Sequence, residues 1–242
     1  MKITNLGTRD RVSFYVATEL YQQMLRHPNS RLGLATGGTM VDMYAYLVEL
    51  LNKNQLDVSK VHTFNLDEYV GLPKSHPESY DYYMHDILFH RYPKFTASFL
   101  HIPDGVATDI TQEAKHYEAL LDEEGPIDIQ ILGIGQNGHI GFNEPGTDFE
   151  SITHCVDLTE STIEANSRYF ENKEDVPRQA ISMGLQSIMK AKRIILIALG
   201  SSKKEAMTKL TSGRVTEDLP ASILHQHPNV EVFVDDAAMP DA

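Results

Sequence analysis

The chain has 242 residues, 41% of them hydrophobic and 23% charged, the composition of a folded globular protein and not of a fibrous or disordered one. Its 34 acidic and 21 basic residues give a net charge of −13, which repels nucleic-acid phosphates and argues against a general DNA- or RNA-binding role. The longest uncharged apolar run, Ile194–Leu199, is far too short to cross a bilayer.

Short apolar runs alternate with segments of helical period. Lys2–Leu6 reads as a strand, and Val12, Val16, Leu20 and Met24 recur at the four-residue spacing of a helix face. Arg31–Ala35 is the next strand and runs into Thr36-Gly37-Gly38-Thr39; a helix follows, with Met43, Tyr44, Leu47, Val48 and Leu51 on one face. Val61–Phe64 is a strand, and Pro77–Arg91 reads as a helix with Ser75 and Pro77 as start signals. Ser98–Ile102 (strand), Thr111–Asp122 (helix) and Ile127–Leu132 (strand) come next, the last entering GIGQNGHIGFNEPG. Gln179–Met183, Arg193–Leu199 and Val230–Val234 are further strands, with helices at Ser202–Leu210 and Ala221–Gln226. This alternation predicts an α/β fold: a single Rossmann-like domain over residues 1–242, with a mostly parallel sheet flanked by helices on both faces. The most polar stretch, 159–178, is expected to form a mobile flap.

In such sheets ligands bind beyond the carboxyl ends of the strands, and four polar clusters fall there: TGGT, NLDEY, GQNGH and GSSK. Thr36, Gly37, Gly38 and Thr39 offer close backbone approach and hydroxyl donors to an anion, although taken alone the segment is equally a tight turn with a helix cap. Lys203, in Gly200-Ser201-Ser202-Lys203, supplies positive charge; alone it is an ordinary solvated lysine. Asp67-Glu68 offers a carboxylate suited to taking a proton next to a carbonyl or imine, or a solvated loop pair, or a helix cap. His139 is crowded by glycines, with Glu144 five residues on to orient the ring and support its charge. Arg168 lies in the polar flap and suits bidentate phosphate binding, though a lone arginine is more often a surface residue. His225, His227, His85 and His90 make no metal set with the right spacing, and no Gly-x-Ser-x-Gly elbow marks a serine nucleophile. The single cysteine, Cys155, rules out an intrachain disulfide. Together with an N-terminus that lacks the apolar core of a signal peptide, it leads us to expect a cytoplasmic protein.

Taken together, LATGGTM, FNLDEYVGLPKSHPESY, LGIGQNGHIGFNEPG, ANSRYF and ALGSSK resemble the glucosamine-6-phosphate deaminases over nearly the whole chain. The resemblance implies that Thr36, Gly37, Gly38, Thr39, Arg168 and Lys203 hold the substrate phosphate. It further implies that Asp67 shuttles a proton between carbons 2 and 1, that His139 opens the sugar ring, and that Glu144 partners His139. No cofactor and no metal is implied; the expected ligand is glucosamine 6-phosphate. Many members carry an aspartate where this chain has Asn137, so Glu144 alone is expected to support the charge of His139. Allosteric members carry basic residues after GFNEPG and a longer tail. Here Thr147–Val156 has no Lys or Arg and the chain ends at Ala242, so hyperbolic kinetics and a monomer or small homo-oligomer are expected.

Two other readings use the same scaffold. A 6-phosphogluconolactonase-like hydrolase shares the Gly-rich histidine loop but needs no carbon–hydrogen base, and its segment after the histidine differs from FNEP. A sugar-phosphate sensor normally follows a helix-turn-helix, for which a first strand at about the second residue leaves no room. The presence of Asp67, His139 and Glu144 argues against an inactive homologue.

Overall fold

The computed structural model describes residues 1–240. Seven strands form one parallel sheet: β1 (Lys2–Asn5), β2 (Arg31–Leu34), β3 (His62–Asn65), β5 (Leu100–His101), β6 (Ile129–Gly133), β9 (Ile194–Ala198) and β10 (Val230–Val234), in the order β1-β10-β9-β6-β2-β3-β5. A second, antiparallel sheet has β8 (Gln179–Ser182) between β4 (Asp67–Tyr69) and β7 (His154–Asp157). The helices are α1 (Arg9–Arg26), α2 (Val41–Asn54), α3 (Tyr80–Met84), α4 (Ile110–Glu124), α5 (Glu160–Asn166), α6 (Leu185–Met189) and α7 (Lys204–Thr211).

The parallel sheet forms where apolar runs are continuous. Every residue of β9, IILIA, is buried, as are the first four of β6, IQIL, the pattern of strands covered on both faces. The four-residue stripe of α1 is fully buried at Val12, Val16, Leu20 and Met24. Thr8 caps that helix, accepting a 3.2 Å hydrogen bond from the Arg11 amide. α1 packs against α2 and β10, while α4 packs against β7 and β8.

Several expectations need correction. Gln179–Met183 is a strand, but it is the centre of the antiparallel sheet and does not join the parallel one. The helix expected from Pro77 starts at Tyr80, because the Ser79 hydroxyl accepts the Tyr82 amide at 3.0 Å; past Met84 it widens into a π-helical turn over His85–Phe89. Ser98–Ile102 contributes a two-residue strand. The helix expected at Ser202 opens with a 3-10 turn, and Pro220–Gln226 is 3-10 throughout. The polar segment 159–178 holds α5 and two 3-10 turns. Ile163 and Val176 of this segment are buried in a small cluster with Tyr69, Phe142, Val156, Leu158 and Ala180, separate from the main core.

Strand order reverses between β2 and β6: β3 and β5 continue on one side, β9 and β10 on the other. Such a switch point opens a crevice beyond the strand ends. The loops after β3, β2, β6 and β9, four adjacent strands, are the four polar clusters of the sequence.

Candidate active site

The four clusters line one cleft of about 440 Å³, which includes Thr36, Gly37, Gly38, Thr39, Asp67, Asn137, His139, Arg168 and Lys203. At one end, Thr36–Thr39 turns β2 into α2. Gly37 has φ +98°, a conformation that disfavours any side chain, and its carbonyl accepts the Tyr83 hydroxyl at 2.9 Å and the Met40 amide at 3.0 Å. The Gly38 carbonyl is held by the Arg9 guanidinium at 2.5 Å. α2 has no side-chain cap at Met40, which leaves its first amides without a side-chain acceptor beside the cleft that Met40 and Val41 help to line. Arg168 stacks 4.8 Å above the Tyr169 ring centroid and donates to the Tyr169 hydroxyl at 2.9 Å. Burial, and then the charge of Arg168, lower the Lys203 pKa. Among the described residues neither cation has a carboxylate partner. Two unpaired cations beside a helix N-terminus, in a chain of net charge −13, form a local site for a dianion such as a phosphate monoester.

Asp67 and Glu68 are neighbours on β4, so their side chains point to opposite faces. Glu68 turns away from the cleft and accepts the amides of Tyr69 at 2.8 Å and of Tyr80 and Asp81 at 2.9 Å each. Glu68 is thus no solvated loop acid: from β4 it meets the first amides of α3, whose N-cap is Ser79. Asp67 faces the cleft and is 7% exposed, with no hydrogen bond to its carboxylate among the described residues. Burial, and secondarily Glu68, push its pKa up to about 8. Burial also lifts Glu68, to about 7, against the pull of its three amides.

His139, Asn137 and Glu144 form a chain in which His139 and Asn137 line the cleft and Glu144 stands behind them. Asn137 Oδ1 is 2.7 Å from His139 Nδ1 and accepts the His139 amide at 3.2 Å, while Asn137 Nδ2 donates to Glu144 Oε2 at 2.7 Å. A carboxylate requires a donor, which fixes the amide's orientation; Oδ1 then requires Nδ1 to carry a proton, leaving Nε2 as the reactive nitrogen. Glu144 Oε2 lies 3.5 Å from Nδ1. It therefore acts on the ring by charge, and the direct hydrogen bond belongs to Asn137. Asn137 adds no charge of its own, so Glu144 supplies the negative charge of this hydrogen-bonded chain and the Asn137 amide links it to the ring. Burial would raise the Glu144 pKa, but the His139 imidazole and donors Thr162 and Asn137 hold it down at about 2. The ring packs against Gly135, where a Cβ would lie 2.3 Å from His139 Nδ1 and Cε1; only glycine leaves room for the imidazole.

Some residues of the site were not legible beforehand. Thr162, on α5, donates to Glu144, as does Thr159, the cap of α5, at 3.3 Å. Segment 159–178 is therefore fastened to the histidine chain through Thr159 and Thr162. Tyr69, Tyr80, Phe142 and Phe170 form an aromatic wall, steadied by a 2.8 Å hydrogen bond from Asn166 to the Tyr69 hydroxyl. The cluster DEYVGLPKSHPESYDYY signals aromatic content, but not which rings turn inward.

The profile of the family described as glucosamine-6-phosphate isomerases/6-phosphogluconolactonase matches residues 8–233. The chain is 65% identical to glucosamine-6-phosphate deaminase of Staphylococcus epidermidis, covering 100% of this chain and 99% of that protein. With the Staphylococcus aureus deaminase the identity is 61%, covering 99% and 95%. Among solved structures, a monomeric glucosamine-6-phosphate deaminase superposes with a TM-score of 0.97 at 45% identity, covering 98% of each chain. A 6-phosphogluconolactonase from Trypanosoma brucei has a TM-score of 0.77 at 18% identity, covering 98% of this chain and 97% of that one, a likeness of fold alone. The chain belongs to the glucosamine-6-phosphate deaminase family.

Proposed function

We propose that this protein converts glucosamine 6-phosphate and water to fructose 6-phosphate and ammonia, with Asp67 as the carbon acid's base and His139 as the ring-opening group. The observation that carries this reading is the buried Asp67 carboxylate, without a hydrogen bond among the described residues, in one cleft with His139 and with the cations Arg168 and Lys203. Phosphate held by Thr36–Thr39, Arg168 and Lys203 anchors one end of the sugar and sets its reacting carbons between Asp67 and His139. His139 Nε2 takes the proton of the carbon 1 hydroxyl and returns it to the ring oxygen, opening the hemiacetal. The imidazolium formed in passing is supported by Asn137 and the ionised Glu144. The open aldehyde acidifies the carbon 2 proton. Asp67 removes it, giving an enolamine, and returns a proton to carbon 1, leaving an imine at carbon 2. Water adds there and ammonia leaves.

A lactonase requires no base for a carbon–hydrogen bond, and the relatives 61–65% identical bear the deaminase name. The test is to supply glucosamine 6-phosphate and 6-phosphogluconolactone in parallel. Equimolar ammonia and fructose 6-phosphate from the first supports the reading; lactone hydrolysis without ammonia refutes it. We further infer a monomer that acts in the cytoplasm on a small-molecule substrate, without membrane or nucleic-acid partners. No helix among the described residues is long and apolar enough to cross a membrane. The absence of Lys and Arg from 147–156 supports rate curves that stay hyperbolic with N-acetylglucosamine 6-phosphate present or absent; sigmoidal curves would refute this.

A further inference from the structure

Three side chains outside the cleft converge at the outer edge of the parallel sheet. His62 opens β3, His101 ends the edge strand β5, and Glu124 closes α4; none of them lines the cleft. One ligand atom from each lies within 4.8 Å of the other two. His62 Nδ1 is 3.0 Å from Glu124 Oε2, in a geometry that makes no hydrogen bond. His101 Nε2 is likewise buried without a hydrogen-bond partner. Buried polar atoms are as a rule satisfied, and two unsatisfied ring nitrogens aimed at one carboxylate call for an explanation.

The rings are held in place. Phe99 stacks on His62 with centroids 4.0 Å apart, and Phe64 stacks on His101 at 4.7 Å. Arg31 Nε lies 4.0 Å from Glu124 Oε2. The His62 and Glu124 side chains are 17% and 25% exposed, which leaves a route from solvent.

We propose that His62, His101 and Glu124 bind a divalent transition-metal ion of the zinc class, with the fourth position open to water. Two imidazoles and one carboxylate are a donor set suited to such an ion. Ligands about 2.0–2.1 Å from a tetrahedral zinc lie roughly 3.4 Å from one another; the His62–Glu124 pair is already near that spacing, and a small rotation of His101 closes the set. The ion would tie β3, β5 and α4 together, so its effect is on stability and not on turnover. No ligand motif marks the set, because its three residues are far apart in the sequence.

The test uses the full-length protein stripped with chelator and titrated with zinc chloride, by calorimetry and by thermal melting. The variants are His62→Ala, His101→Ala and Glu124→Gln, with His85→Ala, a histidine beside Asp81 outside the cluster, as the control for surface binding. The expected result is one ion per chain and a melting temperature raised by about 5 °C or more at a hundredfold excess over Kd. Each cluster variant should weaken binding by at least about tenfold, and His85→Ala should leave it unchanged. Glu124→Gln keeps the side chain's shape and carries the test if a histidine variant fails to fold. Undiminished binding in Glu124→Gln, or zinc uptake no tighter in wild type than in His101→Ala, overturns the proposal.

Discussion

Asp67 lines the cleft and Glu144 stands behind its His139 wall, and their surroundings give the two carboxylates opposite characters. Asp67, at the tip of β4, is buried without a hydrogen-bond donor, and its pKa is pushed up to about 8. Glu144, at the end of the Gly-rich loop, is nearly as buried but accepts from Asn137, Thr162 and Thr159, and stays ionised with a pKa of about 2. The same functional group thus becomes a reactive base on one wall and a fixed negative charge on the other. What differs is the surroundings: Asp67 meets no donor among the described residues, whereas Glu144 has the His139 imidazole beside it as well as its donors.

This contrast is broken most severely at the base. Asp67→Asn should lower kcat by about 10³–10⁴-fold, measured as ammonia release, with circular dichroism unchanged. A loss below about tenfold would show that the base lies elsewhere. Glu144→Gln removes charge and not the base; it should lower kcat by about 10–100-fold. A loss as large as that of Asp67→Asn would mean that the two walls are not distinct in role. Arg168→Lys, at the phosphate end, keeps the charge but loses the planar fork; KM should rise by roughly tenfold with kcat nearly unchanged, read from initial rates.

The smallest effect is on stability, and its sign differs between the walls. The folded pKa of Asp67 lies above its ordinary value of 3.8. Stability from this group is therefore complete below pH 3.8 and is lost as pH rises to about 8. Asp67→Asn should then melt a few degrees above wild type at pH 9, a gap that narrows on acidification. The folded pKa of Glu144 lies below its ordinary 4.5; its stabilisation is present above pH 4.5 and lost as pH falls to about 2. Glu144→Gln should melt below wild type at pH 7, with the deficit shrinking in acid. Melting curves across pH check both, and parallel curves for the two variants would contradict the assigned environments.

How far the sequence could be read follows the same division. β6 and β9 announce themselves because strands covered on both faces are largely apolar, as IILIA is throughout and IQIL is apart from the buried Gln130. β4 is only Asp67-Glu68-Tyr69; two adjacent acids do not read as a buried strand, and pairing with the distant β8 makes it one. Glu68 is tolerated inside because three backbone amides meet it, a fact of tertiary structure. His139 and Glu144 were legible from their loop, yet the insertion of the Asn137 amide between them was not. The fastening of α5 to Glu144 by Thr159 and Thr162 was also hidden, since a threonine before a helix reads as a cap whatever else its hydroxyl touches.

The central claim, that Asp67 moves a proton between carbons 2 and 1, is tested most directly by running the reaction in D₂O and locating deuterium in the product by NMR. Wild type should release ammonia and give fructose 6-phosphate carrying solvent deuterium at carbon 1, and Asp67→Asn should lose product and label together. Deuterated product formed by Asp67→Asn at a rate near that of wild type would contradict the account.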